Sequence, residues 1–423
     1  MKNLFTIALL ASLIFSSCTK DGGSILLSFN KKTAVYGDIE EIRNTPLLEA
    51  AKTISNPGKV YIGEEILLIG EEGSGIHIYD NSNPTNPQNM AYLNVPFCRE
   101  FFVSENKIFA ESQYDMLKID ISNPSAPFIE SRVTNAFGAT IQDNQGRTVI
   151  GFTAEEVTEN IKLNSAEHNS IQETHEILLD FENSLIPASA VPSSFAGSGS
   201  GLSGTINRIT EHNNTVYVAS ATSIHVFSNS GDLQKVNEIS TRDFTETLYP
   251  KGDHLFAGGR NSMKVFDLSS PENPVEESSF WHTTSCDPVL PHPEEDIAFI
   301  TIRTGDFSNC PGDVNLLEIV SLENINNPTR IQSIELQSPY GMALVENVLY
   351  VGNGTNGLVK FDVSDPANAF IIETDDSIQA YDVIPHPTIP NLILTAGPEG
   401  INQYEYNAQT LEFTLIGQIH IPA

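Results

Sequence analysis

Polar side chains that could do chemistry are densest beside a strand in Gly357–Glu373, where Asp362, Ser364 and Pro366 follow the run Leu-Val-Lys-Phe. A carboxylate two residues from a hydroxyl could move protons or hold a cation. The same spacing recurs as Asp80/Ser82/Pro84, Asp120/Ser122/Pro124 and Asp267/Ser269/Pro271. A catalytic pair is needed once, whereas a turn is needed wherever the chain reverses. Asp and Ser side chains bond nearby backbone N–H groups, and proline cannot continue a ladder. The triplet therefore reads as a turn between two strands, shaped by Asp362, Ser364 and Pro366.

The remaining functional side chains fall into few combinations. His282, Cys286 and His292 lie close together, with Cys310 beyond, but their spacing matches no compact zinc knuckle. His292 and His386 occupy equivalent Pro-His-Pro segments, so the repeat already accounts for them. Asp306 and Asp313 lack the oxygen ladder of a calcium loop. No Gly-x-Ser-x-Gly elbow, phosphate-binding loop or His-Glu-x-x-His occurs. No metal, cofactor or catalytic residue is therefore expected. Cys286 and Cys310 flank one hairpin and are the candidate disulfide, with Cys98 left over.

The elements that carry these residues follow from the repeat. Turn positions at Asp80, Asp120, Ser228, Asp267, Ser321, Asp362 and Glu405 are separated by steps of 40, 108, 39, 54, 41 and 43 residues. A strand-only unit with a period near 40 is the mark of propeller blades. Before each copy runs a hairpin of alternating apolar residues, clearest at Tyr340–Val351. Each unit is thus four strands, and radial packing of such sheets gives an all-β β-propeller. Hairpins beginning near 59, 100, 138, 208, 247, 288, 341 and 382 predict eight blades. Seven is the alternative, if the interrupted unit at 138–205 forms no sheet. Its second half is diluted by an insertion at about 159–203, whose Ser193–Gly204 end reads as a flexible linker. A shorter insertion spans Thr304–Val314. Residues 46–54 resemble an outer strand able to close the ring against the last blade, although Phe413–Ile421 could supply that strand itself.

The Gly-Leu-Val-Lys-Phe-Asp-Val-Ser-Asp-Pro stretch at Gly357, with its copies, resembles the LVIVD repeat of bacterial secreted and surface proteins. The resemblance runs from about Lys59 to Ile421, strongly in four copies. It implies a β-propeller, and it brings no general catalytic signature.

A propeller usually binds ligands over its central channel, through the loops that lead into the innermost strands. Counting back from each hairpin turn places Gly58, Arg99, Phe137, Asn207, Glu246, Asp287, Tyr340 and Tyr381 there. This mixed set is unlike the repeated ligands of a metal or phosphate cage. Aromatic platforms with a few polar groups suit a sugar or a peptide; against that stands the plainer reading of a solvated channel lining. The leading function is a binding platform whose partner at the propeller face is a protein or a glycan. The alternative is an extracellular enzyme acting on glycans or peptides with its site at the channel.

Residues 1–17 read as a signal peptide: Lys2 is the positive n-region and Leu4–Phe15 the apolar core. Ser16-Ser17-Cys18 resembles a bacterial lipobox, which implies lipidation of Cys18 and leaves 18–45 as tether and N-terminal segment before the propeller at 46–423. Lys20-Asp21 resembles the short acidic export signals of surface lipoproteins. A lipid-anchored protein of the Gram-negative cell envelope is expected, at the outer membrane, with surface display as what the Lys20-Asp21 resemblance implies, touching the membrane through the lipid alone. A net charge of −32, from 54 acidic and 22 basic residues, argues against nucleic acid as a partner.

Overall fold

The computed structural model describes residues 24–163, 176–179 and 207–421, apart from 139, 144, 221, 284–287, 305–313, 408 and 411. Seven four-stranded antiparallel sheets follow one another along the chain, at 57–94, 101–133, 209–240, 245–281, 289–335, 342–375 and 382–420. We number these blades 1 to 7. In each, strand order follows chain order from the channel outward, and the first sheet gains a fifth strand at its outer edge.

Burial explains which residues take which place. The two middle strands of a blade are covered on both faces by neighbouring blades. They read as unbroken apolar runs, such as Ile297–Ile302, which is buried throughout. The outer strand has a wet face and alternates, as in Gln234–Ser240. The core is correspondingly divided. Among the described residues, seven apolar clusters each straddle one blade–blade seam. This is how a chain of over 400 residues avoids the single-core size limit of about 250–300.

Every outer strand also slips register by one residue against the third strand. The extra residues are Met90, Glu130, Val236, Glu277, Ile331, Ile372 and Ile416. A bulge bends and twists an edge, which makes it a poor template for another strand. Seven exposed edges are thus managed by one repeated device.

The expectation of eight blades is corrected to seven, because the stretch at 138–205 builds no blade. Its turn does form, with Asp143 Oδ1 accepting from the N–H groups of Gln145 and Arg147. The strand that follows, Thr148–Lys162, then pairs along its length with Ser24–Gly37 instead. Thr153, Glu155, Glu156, Thr158, Glu159 and Asn160 are exposed along it. A strand between two blades must bury both faces, and this one cannot. A parallel strand at Glu176–Leu179 completes a separate ribbon. Phe29 and Ile161 form a small apolar cluster of its own there, joined by Leu27 and Val157.

Ring closure uses no shared strand. Phe413–His420 is the last blade's own outer strand, and Leu48–Ala50 adds to the outer strand of blade 1. Of residues 46–54, Ile54 joins the closing seam, where Val60, Ile62, Leu67 and Ile69 meet Leu394, Ala396 and Ile401. Across it Asn81 and Gln403, both buried, exchange amide hydrogen bonds of 3.0 and 2.7 Å.

Candidate functional site at the channel mouth

The two ends of the propeller differ in what they carry. At one end lie the first hairpin turns and the Asp-x-Ser turns; we call it the turn face. There Asp80, Asp120, Asp267 and Asp362 each accept from the backbone N–H two residues on, at 2.8–2.9 Å. All four carboxyls are held below the usual range: Asp120 at about 2, by Lys107 first and then by Ser122, Asp80 and Asp362 by the hydroxyl and N–H of Ser82 and Ser364, and Asp267 by the N–H and hydroxyl of Ser269. The repeated carboxylates are therefore spent on local structure.

At the other end, the connector face, lie the loops between blades and the turns between second and third strands. Every departure from the repeat opens there: the ribbon, inserted between blades 2 and 3, and the 304–314 segment of blade 5. Every arginine of the chain except Arg330 also lies at this end or at the root of the ribbon.

Of the sequence-predicted site residues, Arg99, Phe137, Asn207, Tyr340 and Tyr381 belong to connectors on this face and Glu246 to the strand just inside it, and they divide into separate settings. Around blades 1 to 3 the groups are knit by charge. Lys59 on the innermost strand of blade 1 lies 2.7 Å from Glu100 and donates to Asn207. Glu100 is deeply buried; burial pushes its carboxyl upward, and Lys59 and Arg208 oppose that shift. Arg99 precedes Glu100 in the same connector, and Asn207 also accepts from the N–H of Leu248 at 2.7 Å. Phe137 packs edge-on to His225 and Phe227, at 5.2 and 6.1 Å, within the apolar seam between blades 2 and 3. Glu246 sits on the innermost strand of blade 4 between the buried Thr245 and Thr247.

The second setting, between blades 5 and 7, brings together residues the counting placed apart. The rings of Tyr340 and Tyr381 meet edge to face at 4.9 Å. The guanidinium of Arg303 lies over Tyr340, 4.2 Å from the ring centre. The backbone is spent in holding them: Tyr340 N–H donates to Gly352 O, Tyr381 N–H to Ala396 O, and Gly341 N–H to Tyr381 O. Thr301 Oγ1 donates to Tyr340 O at 2.7 Å. Gly354 is required here, since its φ is +61° and a Cβ would come 2.9 Å from Tyr340 Cε2. Burial pushes the Tyr381 phenol upward, with Arg303 pulling the other way. The stacked group offers ring faces and a cation for a ligand with an apolar ring surface and a negative group.

Arg303, Lys59, Glu100 and Arg208 were missed by the count. The last three sit one residue past the counted positions 58, 99 and 207, so a one-step wider window finds them. Asp287, Cys18, Cys286, Cys310, Asp306 and Asp313 lie outside the described residues, as does most of 159–203. Cys98 is a buried free thiol whose pKa is pushed well up by burial. Among the described residues, no helix is long and apolar enough to cross a membrane.

The family described as the LVIVD repeat matches residues 109–135 and 341–374. The chain carries LVIVD repeats. Those two matches take in most of blade 2 and blade 6, with the turns of Asp120 and Asp362. No curated protein matches the LVIVD-repeat chain in sequence. Among solved structures, a protein from Lactobacillus plantarum has a TM-score of 0.52 at 10% identity, over 89% of this chain and 96% of its own. BamB from Moraxella catarrhalis has a TM-score of 0.47 at 9% identity, over 82% of this chain and 84% of its own. The β-propeller domain of Cps50 (Swd1) from Myceliophteria thermophila has a TM-score of 0.48 at 9% identity, over 85% of this chain and 100% of its own. At these identities the likeness is one of fold.

Proposed function

We propose that this LVIVD-repeat propeller is a binding platform of the cell envelope that takes its ligand, a glycan or a protein, on the connector face. The observation that carries this reading is the Tyr340–Tyr381–Arg303 group, set among the chain's non-repeating segments. Repeated groups build the scaffold; groups present once are where a scaffold acquires specificity. In the same reading Cys18 is lipidated, and the ribbon links that anchor to the blades. Ser24–Gly37 spans roughly 45 Å at about 3.4 Å per residue, with its Gly37 end rooted at blade 2. The ribbon is rooted through Tyr114, whose hydroxyl donates to Val149 O at 2.9 Å.

The test is a glycan and peptide array with the body from residue 25 onward, followed by Tyr340→Ala/Tyr381→Ala. Loss of a bound ligand with unchanged thermal unfolding supports the site. Undiminished binding by the double variant moves it elsewhere, and turnover of the bound ligand replaces a binding platform with an enzyme.

A further inference from the structure

Arg303 has a counterpart in the adjacent blade. Arg260 and Arg303 each stand one step beyond the second strand, after His254–Gly259 in blade 4 and Ile297–Ile302 in blade 5. Counted by strand register from the residue paired with the turn position, blades 1, 2, 6 and 7 hold Glu72, Gln113, Gly354 and Pro398 there. Both arginines are held by an aromatic ring: Arg303 over Tyr340 at 4.2 Å, and Arg260 over Phe244 at 5.0 Å. Both are half-buried. Among the described residues neither guanidinium has a hydrogen bond or ion pair, and Arg260 Nε is buried without a partner.

That lack is informative in a chain of net charge −32. Three other arginines of this face or the ribbon root are answered, Arg43 and Arg132 by Asp115 and Arg147 by Asp143, while Arg242 is exposed to solvent. Two guanidiniums at one register of neighbouring blades, each stacked on a ring and with no anion beside it among the described residues, are the kind of donor an oxyanion needs. Tyr340 and Tyr381 supply ring surface beside it. The N–H groups of Tyr340, Gly341, Tyr381 and Arg260 are already bonded, so none of these four can pair with a peptide main chain. At these positions the ligand is therefore read by side chains, which suits a sugar ring better than an extended peptide.

We propose that Arg260 and Arg303, with Tyr340 and Tyr381, bind a carboxylate carried on a sugar ring, the chemistry of a uronic acid residue in a glycan. This rests on the connector face being the binding face. The net charge of −32 opposes any polyanion at low salt, so the uronate is a short oligomer and binding is measured near 0.15 M salt, where that repulsion is screened beyond about 8 Å.

The experiment is titration calorimetry of the full chain with oligogalacturonate, its methyl ester, a neutral galactose oligomer and inorganic phosphate. Oligogalacturonate is expected to bind and its methyl ester to bind far more weakly. Arg260→Gln and Arg303→Gln are each expected to weaken binding on the order of 10- to 100-fold, as for a charge-assisted hydrogen bond. Tyr340→Ala should weaken it as well, with thermal unfolding unchanged in all variants. Equal binding of acid and ester, or binding by the double arginine variant at wild-type affinity, overturns the carboxylate assignment while leaving the aromatic platform standing. Phosphate binding as tightly as the uronate, or binding of none of the sugars, overturns it too. A sugar that binds with no loss on any of the arginine or tyrosine changes removes the connector-face reading itself.

Discussion

Glu318 Oε1 lies 2.6 Å from Arg330 Nη2, joining the third and outer strands of blade 5. The carboxylate is buried and the guanidinium half exposed. In blade 4 the equivalent positions hold Lys264 and Glu276, 3.0 Å apart, with the charges exchanged. Blades 2 and 6 carry Lys118–Glu130 and Lys360–Glu373, again with a buried lysine. A buried charge is tolerated when its partner is retained, and losing the partner typically costs about 3–5 kcal/mol.

Arg330→Ala is therefore expected to lower stability by about 2–4 kcal/mol, less than a full burial penalty because Arg330 is half exposed. Glu318→Lys alone should do at least as much damage, setting a lysine against Arg330. The double change Glu318→Lys/Arg330→Glu copies blade 4 into blade 5 and should recover most of the loss. Urea midpoints of the four proteins decide it; a double variant no better than Glu318→Lys would show that the pair is not an exchangeable unit.

His225 supplies the clearest pH dependence. Burial and the neighbouring Lys235 push its pKa down to about 4, although Glu238 lies 3.2 Å away and pulls upward. Phe137, in the turn after the outer strand of blade 2, meets the ring edge-on. An unfolded histidine titrates near 6.5, so the unfolded chain takes up this proton first as pH falls. The stabilising effect is complete above pH ~6.5 and declines toward pH ~4, at up to about 1.4 kcal/mol per pH unit. His225→Gln should flatten that part of the stability profile, measured by urea unfolding between pH 7 and pH 4. A profile as steep as that of the wild type would assign the dependence to other groups.

The blades were legible because each is built from residues close in sequence: expected starts near 100, 208, 341 and 382 stand beside strands beginning at Phe101, Ile209, Met342 and Asp382. The ribbon was not, because Thr148–Lys162 finds its partner more than a hundred residues upstream, and no local pattern encodes such a pairing. Its one local sign was composition, since Glu155, Glu156 and Glu159 are too polar for a strand buried on both faces. The channel count reached Tyr340 and Tyr381 because a repeat fixes where each connector ends. Arg303 escaped it: it comes from a different blade and a different loop, and only the folded ring brings it onto Tyr340. The pairs of the buried Lys118, Lys264 and Lys360 are likewise set by the fold, since each partner lies on the outer strand a dozen or so residues on.

Blades 1 and 7 meet at the one seam that no connector of the chain crosses, so the closing seam should be the weakest. Gln403→Leu would leave the buried Asn81 amide without its partner, at a cost of about 1–3 kcal/mol. Hydrogen exchange should then rise first in Pro57–Ile62 and Phe413–His420, the strands of blades 1 and 7 that flank the channel and the rim. Uniform acceleration across all blades would show that closure is no weaker than any other seam.

Gly354→Ala tests the aromatic group without touching a ligand-contacting side chain. The position has a left-handed φ, and the new methyl would press on Tyr340 at 2.9 Å. A modest stability loss of about 1 kcal/mol is expected from the backbone alone. The larger effect should be positional: the Tyr340 ring must shift off the Arg303 guanidinium and away from the edge of Tyr381. Near-ultraviolet circular dichroism should change in the tyrosine band while the far-ultraviolet spectrum stays that of the wild type, and ligand affinity should fall about as far as in Tyr340→Ala. An unchanged affinity with a changed tyrosine signal would mean that the stacked geometry is not what the ligand reads.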